Sequence, residues 1–471
     1  MPHISTRGEA PTVGFTDALL RGLAPDGGLY VPETWPSLAP DRIAGFAGRP
    51  YAEVAETVVG ALAADSLRSD ELRPMVEAAY GTFSHAAVCP LRQIGDNLFL
   101  LELFHGPTLA FKDVAMQLLG RLLDHALERT GARSTIVVAT SGDTGSAAVH
   151  AFEGLERVDL FILYPHGRVS EVQRRQMTTS RAENVHAIAL SGTFDDAQGI
   201  VKGLFNHARF REEVGLSGVN SINWARVAAQ AVYYVTAAVA LGGPARPVSF
   251  SVPTGNFGDV LAGYVAKRMG LPVGRLMIGT NANDILARTL GSGVYEVGAV
   301  VPTSSPSMDI QVSSNFERLL FEAYDRDAGA VRRLMAGLAQ GGRFLVEAAP
   351  LQRIRAEFAA QAVDEAATGD EIARVWREAG ALIDPHTAVA TRAARTLLAD
   401  DPATPAVALA TAHPAKFPDA VERATGLRPQ LPPHLADLME RPERINPLPN
   451  DVAAVERFIR GRARAVQDRA A

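Results

Sequence analysis

From Asn97 onward the chain alternates short apolar runs with amphipathic stretches, and few folds accommodate that alternation. Asn97–Leu103, Thr135–Ala139, Leu160–Tyr164, Val185–Leu190, Val248–Val252, Arg275–Thr280 and Ala406–Ala410 read as strands. They are almost continuously apolar, as strands are when helices cover both faces of a sheet. Between them, apolar residues at three- and four-residue spacing predict helices over Lys112–Thr130, Thr144–Phe152, Phe194–Phe210 and Val260–Met269. Others are expected from about Val169, from Asn223 to Leu241, and near Ala282–Leu290. Such a chain folds as an α/β protein with two lobes of largely parallel sheet. Residues 1–90 read as a mostly helical N-terminal region, with helices at Phe15–Gly22, Tyr51–Ala63 and Asp70–Tyr80 and a short strand at Leu29–Val31. Residues 91–430 form the expected core, its smaller lobe roughly 120–215. Residues 315–398 read as mainly helical, and 431–471 as a helical C-terminal segment with proline-rich joints.

Composition narrows the function. A formal net charge of −6 without a polybasic run argues against nucleic acid or an anionic membrane as partner. The longest apolar stretch, Ala228–Leu241, is interrupted by Gln230, Tyr233, Tyr234 and Thr236 and falls short of the ~18 residues of a membrane span. Cys89 is the one cysteine, so neither an internal disulfide nor a cysteine-based metal cluster is expected. The first residues lack an apolar secretory segment, which makes the cytoplasm the expected compartment. Nothing in the sequence chooses between a monomer and a homodimer.

Four segments carry chemistry, and each lies where a strand should give way to a loop. The first is HGPTLAFKDVAMQ, His105–Gln117, which holds Lys112. Lysine occurs only at positions 112, 202, 267 and 416; the rest of the 46 Lys+Arg cations are arginine. Arginine stays protonated, whereas a lysine amine can form a Schiff base. The second is ATSGDTGSAA, Ala139–Ala148, a strand delivering Ser141, Gly142, Asp143, Thr144 and Gly145 onto a helix start. Backbone amides, two hydroxyls and the helix dipole favour an anion there. A plain capped turn with Asp143 or Thr144 as N-cap fits equally well.

The third segment is SVPTGNFGDVLAGYVAKRMG, Ser251–Gly270. Its loop of Gly255, Asn256, Phe257, Gly258 and Asp259 suits a phosphate, though it matches neither the dinucleotide fingerprint nor the P-loop. Asp259, acidic beside an anion site, is expected to cap loop amides. The fourth is ALATAHPAKF, Ala408–Phe417, where a buried strand presents Thr411 with His413 and Lys416 nearby. A lysine, two anion cradles and a strand-end hydroxyl together imply pyridoxal phosphate (PLP), because each end of that cofactor would then have a partner.

TLAFKD, SGDTGSAA, NSINWAR and PTGNFGD, in this order, together with STRG and LAPDGGLYVPE near the start, resemble the threonine synthases, a family of fold-type II PLP enzymes. The resemblance spans nearly the whole chain. It implies that Lys112 bears the PLP, that Gly255–Asp259 holds its phosphate and that Thr411 faces the pyridine nitrogen. Asp143 departs from the wider group, which often places an asparagine near the cofactor's 3′-oxygen. The reaction implied is O-phospho-L-homoserine plus water giving L-threonine and phosphate. A related lyase that turns phosphohomoserine into a keto acid is the alternative. For the substrate carboxylate the helix start Ser141–Gly145 is expected, and for its phosphate Ser221, Asn223 and Arg226, with Arg7 behind them.

Overall fold

A computed structural model of the chain describes residues 1–470. It divides into two compact units. The first comprises Met1–Ala18, Leu23–Ala115 and Ser221–Pro429; the second comprises Leu19–Gly22, Met116–Asn220 and residues 430–470. Each is built around one large sheet.

The first unit holds six strands in the order Phe358–Ala362, Val273–Thr280, Val248–Pro253, Ala406–Ala410, Leu98–Glu102 and Leu91–Gly95. Five run parallel, and Leu91–Gly95 closes one edge antiparallel to Leu98–Glu102. Every residue of Val248–Pro253 and Ala406–Ala410 is buried, as central strands between two helical layers must be. Helix Pro385–Asp400 packs beneath these strands, with Ala388, Ala390, Ala393 and Ala394 in their core. A two-stranded ribbon, His3–Ser5 against Tyr30–Pro32, accompanies the N-terminal helices.

The second unit holds five strands, all parallel, in the order Asn446–Pro449, Val185–Ser191, Val158–Pro165, Ser134–Ala139 and Leu216–Ser217. Val158–Pro165 is buried at all eight positions. Among the described residues no helix is long and apolar enough to cross a membrane.

The fold is the expected α/β arrangement, and it corrects the reading in three places. The helix expected over Phe194–Phe210 is two, Phe194–Asn206 and Ala208–Val214, hinged at His207. Apolar spacing continues across the break, so periodicity alone does not show it. Phe358–Ala362 is an edge strand inside a stretch read as helical, because FAAQA carries no β-branched residue to mark it. The C-terminal segment is not wholly helical either: Asn446–Pro449 pairs with Val185–Ser191 despite two prolines. An edge strand needs its N–H groups on one side only, so proline is tolerated there.

Candidate active site

Three of the four chemistry-bearing segments leave the carboxyl ends of three neighbouring parallel strands in the first unit. Val248–Pro253, Ala406–Ala410 and Leu98–Glu102 are adjacent in the sheet. They lead into the Gly-rich loop, Thr411 and the Lys112 loop respectively. Ligands of open α/β sheets bind at such strand ends.

Lys112 is the first residue of helix Lys112–Thr130. The turn before it is stitched to the Thr411 segment. Phe111 N donates to Thr411 O at 2.8 Å, His413 N donates to Leu109 O at 3.0 Å, and Ala110 bridges to Ala412. Leu109 takes a left-handed φ of 62° to make that turn. Behind it Asp113, fully buried, accepts from Thr108 N at 2.8 Å and from Thr108 Oγ1 at 2.7 Å. Lys416 is buried too and donates from Nζ to Thr108 O at 2.9 Å, so it braces this turn. The Lys112 amine lies 4.9 Å from the centre of the Phe111 ring.

The loop Thr254–Gly258 is held by its carbonyls. Ser313 Oγ donates to Gly255 O at 2.7 Å; Asn315 donates to Asn256 O from both N (3.1 Å) and Nδ2 (3.0 Å). With Gly255 O and Asn256 O engaged and Phe257 at φ 65°, the loop turns into helix Gly258–Arg268, and a turn of this kind can offer a nest of amides to an anion. A Cβ at Gly255 would stand 2.9 Å from Ser307 O and 3.3 Å from Met308 Cα, so only glycine fits this close approach. Phe257 itself is buried against Phe316 and Phe358.

Asn315 and Arg318 are site-building residues that the motif reading missed. Asn315 Nδ2 also donates to Ser221 O at 3.2 Å, tying the NSIN segment to the Gly-rich loop. Arg318 donates to Asn315 Oδ1, to Ile222 O at 2.7 Å and to Tyr30 O at 2.9 Å. Burial draws its guanidinium down to about 9, with Glu317 opposing, so it stays cationic at neutral pH. Neither residue sits in a glycine-rich or strand-end pattern, and no local signal marks them.

Asp259 corrects the expectation that it caps loop amides. Its Oδ1 accepts from Tyr233 OH at 2.5 Å and from Tyr234 OH at 2.9 Å, while Oδ2 is buried without a hydrogen-bond partner. Burial raises this carboxyl to about 6, against the two hydroxyls and the Lys112 charge, which lower it. A carboxyl whose pKa is raised on folding stabilises the fold fully below its unfolded value of 3.8. That contribution is lost as pH climbs through about 6. The penalty at neutral pH is about 3 kcal/mol. Asp259→Asn keeps an acceptor for the tyrosines and avoids ionisation. Relative to the parent it is expected to gain up to about 3 kcal/mol between pH 4 and pH 7. Urea midpoints of the cofactor-free proteins across that range provide the check, and a pH-independent difference would refute the argument.

Two substrate-side residues are already engaged. Asn223 caps helix Trp224–Ala240, its Oδ1 accepting from Ala225 N at 3.1 Å. Arg7 forms a two-point ion pair with Glu317 (3.1 and 3.0 Å), and Thr6 Oγ1 joins the same carboxylate. A role for Arg7 at a substrate phosphate would therefore first require it to leave Glu317. Ser5 donates to Asp26, so this stretch serves the N-terminal ribbon. Arg226, in the first turn of helix Trp224–Ala240, is 3% exposed, and burial lowers its guanidinium to about 10.

In the second unit, the turn Thr140–Gly142 leads into helix Asp143–Phe152. Neither expected N-cap serves: Thr140 Oγ1 accepts from Gly142 N at 2.9 Å and Gly145 N at 3.0 Å. The amides of Gly142 and Gly145 are thus engaged within the turn itself. Gly142 sits at φ 142°, where a Cβ would be 2.4 Å from the Gln173 side chain. Gln173 Nε2 donates to Asp143 Oδ1 at 2.9 Å, so Asp143 acts as an acceptor there.

The lysine, the amide nest and the strand-end hydroxyl suit a PLP group, and strands of this order frame them; the chain is a PLP-dependent enzyme of fold-type II. The family described as pyridoxal-phosphate dependent enzyme matches residues 85–412, threonine synthase N terminus matches 2–80, and threonine synthase C-terminal matches 387–459. The chain belongs to the threonine synthase family. It is 52% identical to a threonine synthase of Pseudomonas aeruginosa over 98% of each chain. A crystal structure of PLP-bound threonine synthase from Brucella melitensis superposes with a TM-score of 0.96 at 56% identity, covering 98% of this chain and 100% of the other. The yeast threonine synthase structure gives 0.92 at 38%, covering 97% and 98%.

Proposed function

We propose that this enzyme converts O-phospho-L-homoserine and water to L-threonine and phosphate, with Lys112 as the cofactor-bearing and proton-moving residue. The observation that carries the reading is the convergence of Lys112, Thr411 and the Gly255–Asp259 loop on three adjacent strand ends. When bound, PLP supplies the electron sink that stabilises carbanions next to the substrate's amine. The protein's own part is positioning and proton transfer.

In this reading the amides of Gly255, Asn256, Phe257 and Gly258 hold the cofactor phosphate, and the hydroxyl of neutral Thr411 meets the ring nitrogen without adding charge. Asp259 shapes the loop from behind through Tyr233 and Tyr234. Asp143, held by Gln173, is the proposed partner for the cofactor's 3′-oxygen. The Lys112 amine takes the substrate's α-proton, gives it up and then takes a β-proton, which frees the γ-phosphate to leave; a proton returned to Cγ, water adding at Cβ and a proton returned to Cα complete threonine. Ser141 and Thr144 receive the substrate carboxylate, and Gly142 and Gly145, their amides held by Thr140, shape the turn that presents it. Ser221, Asn223 and Arg226 surround its phosphate, with Arg7 as an outer cation. The cytoplasm is the proposed compartment, supported by a single, buried cysteine that needs no oxidising environment.

The direct test is incubation with phosphohomoserine, measuring threonine and phosphate together. Equal yields support the reading; phosphate with a keto acid and no threonine would replace it with the lyase. In the same assay Arg226→Ala is expected to raise KM well beyond ~10-fold, the equivalent of about 1.4 kcal/mol. An unchanged KM removes Arg226 from the phosphate site.

A further inference from the structure

The segment Asp384–Thr387, DPHT, holds a buried acid–imidazole pair that the reaction does not use. Asp384 is 0% and His386 3% exposed. Asp384 Oδ1 accepts from the Thr387 amide at 3.0 Å and from the Thr387 hydroxyl. Its Oδ2 accepts from His386 N at 3.0 Å and lies 2.6 Å from His386 Nδ1. With the carboxylate on that side, the imidazole proton belongs on Nδ1, an assignment made from the bonding pattern. Nε2 is then an acceptor, and it takes the amide of Ser307 at 3.3 Å. Phe417 packs on the ring at 4.9 Å between centroids.

Both ring nitrogens are thus committed inside the protein, which leaves no lone pair or proton for a substrate. What the ring does is locate Ser307. The backbone at Ser307 and Met308 is the surface against which Gly255 is pressed, close enough to exclude a Cβ. The opposite hold on the same residue is Ser313 Oγ, donating to Gly255 O. We propose that His386, held by Asp384, is a positioning residue that sets the floor of the phosphate loop and thereby the affinity for the cofactor. This rests on the reading that Gly255–Asp259 receives the PLP phosphate.

Two variants separate the nitrogens. His386→Asn keeps a donor toward Asp384 and loses the acceptor for Ser307. His386→Gln places an oxygen where Nε2 stood and restores that acceptor. The full-length protein is stripped of PLP and titrated with PLP, and kcat is then measured at saturating cofactor. The asparagine variant is expected to bind PLP about tenfold more weakly or worse, the size of one lost hydrogen bond. The glutamine variant should stay within about threefold of the parent, and kcat of both within about threefold at saturation. His386→Phe, a ring without an acceptor, replaces the asparagine variant if that one does not fold, with the same expected loss.

Unchanged PLP affinity in the variant lacking the acceptor overturns the proposal, as does equal weakening in both variants or a large fall in kcat at saturating PLP. Gly255→Ala is titrated alongside. If it too binds PLP like the parent, the loop reading itself fails. If it binds weakly while the asparagine variant does not, the His386 proposal alone fails.

Discussion

Lys112→Ala is expected to yield a folded protein that carries no covalently trapped PLP and turns over no phosphohomoserine. Removal of the amine takes away the cofactor's attachment and the proposed proton-moving group together. Loss of general base action alone is worth roughly 10²–10⁴ in rate. The fold should survive, because Lys112 is only half buried and the turn around it is held by Thr108, Asp113, Lys416 and the bonds to Thr411 and His413. Borohydride reduction followed by peptide mapping gives the decisive reading. A label retained by the variant would mean that Lys202, Lys267 or Lys416 carries the cofactor. Lys416 is a poor candidate, since its amine already serves the Thr108 carbonyl.

Arg318→Met carries the largest expected effect on stability. Methionine fills much of the space but leaves the carbonyls of Tyr30 and Ile222 and the Asn315 amide oxygen without their donor. It also removes the guanidinium lying 5.6 Å from the Trp224 ring centre. Each buried acceptor left unpaired costs about 1–3 kcal/mol. Loss of one partner from a buried charged network typically costs about 3–5 kcal/mol in all. That is a large share of the ~5–15 kcal/mol that holds a domain together. Urea unfolding monitored by tryptophan fluorescence measures it. A loss under about 1 kcal/mol would mean that water replaces the guanidinium and that the network is not tightly closed. Because Asn315 spans the NSIN segment and the Gly-rich loop, PLP affinity should fall as well.

Much of this architecture was readable because it is written locally. The strand Ala406–Ala410 and the helices Tyr51–Ala63 and Lys112–Thr130 have the expected ends. In each, a few consecutive residues carry both the period and the stop signal. The edge strand Asn446–Pro449 was not readable, because its pairing partner, not its own composition, makes it a strand. The partners of Asp259 lie beyond the local sequence for a related reason. Its neighbours in sequence are loop amides, but its neighbours in space are the tyrosines 26 and 25 residues earlier.

By itself the sequence determined the α/β class, and it singled out the lysine, the glycines of the loop and the strand-end threonine as candidates, since each of these signals is contained within about ten residues. Only the tertiary structure decided how that chemistry is held: Asn315 on a carbonyl 59 positions away, Arg318 on one 288 away, His386 on an amide 79 away. The physical reason is burial. A polar group costs little while it faces water and becomes expensive once enclosed, so its partner is chosen by the packing that encloses it.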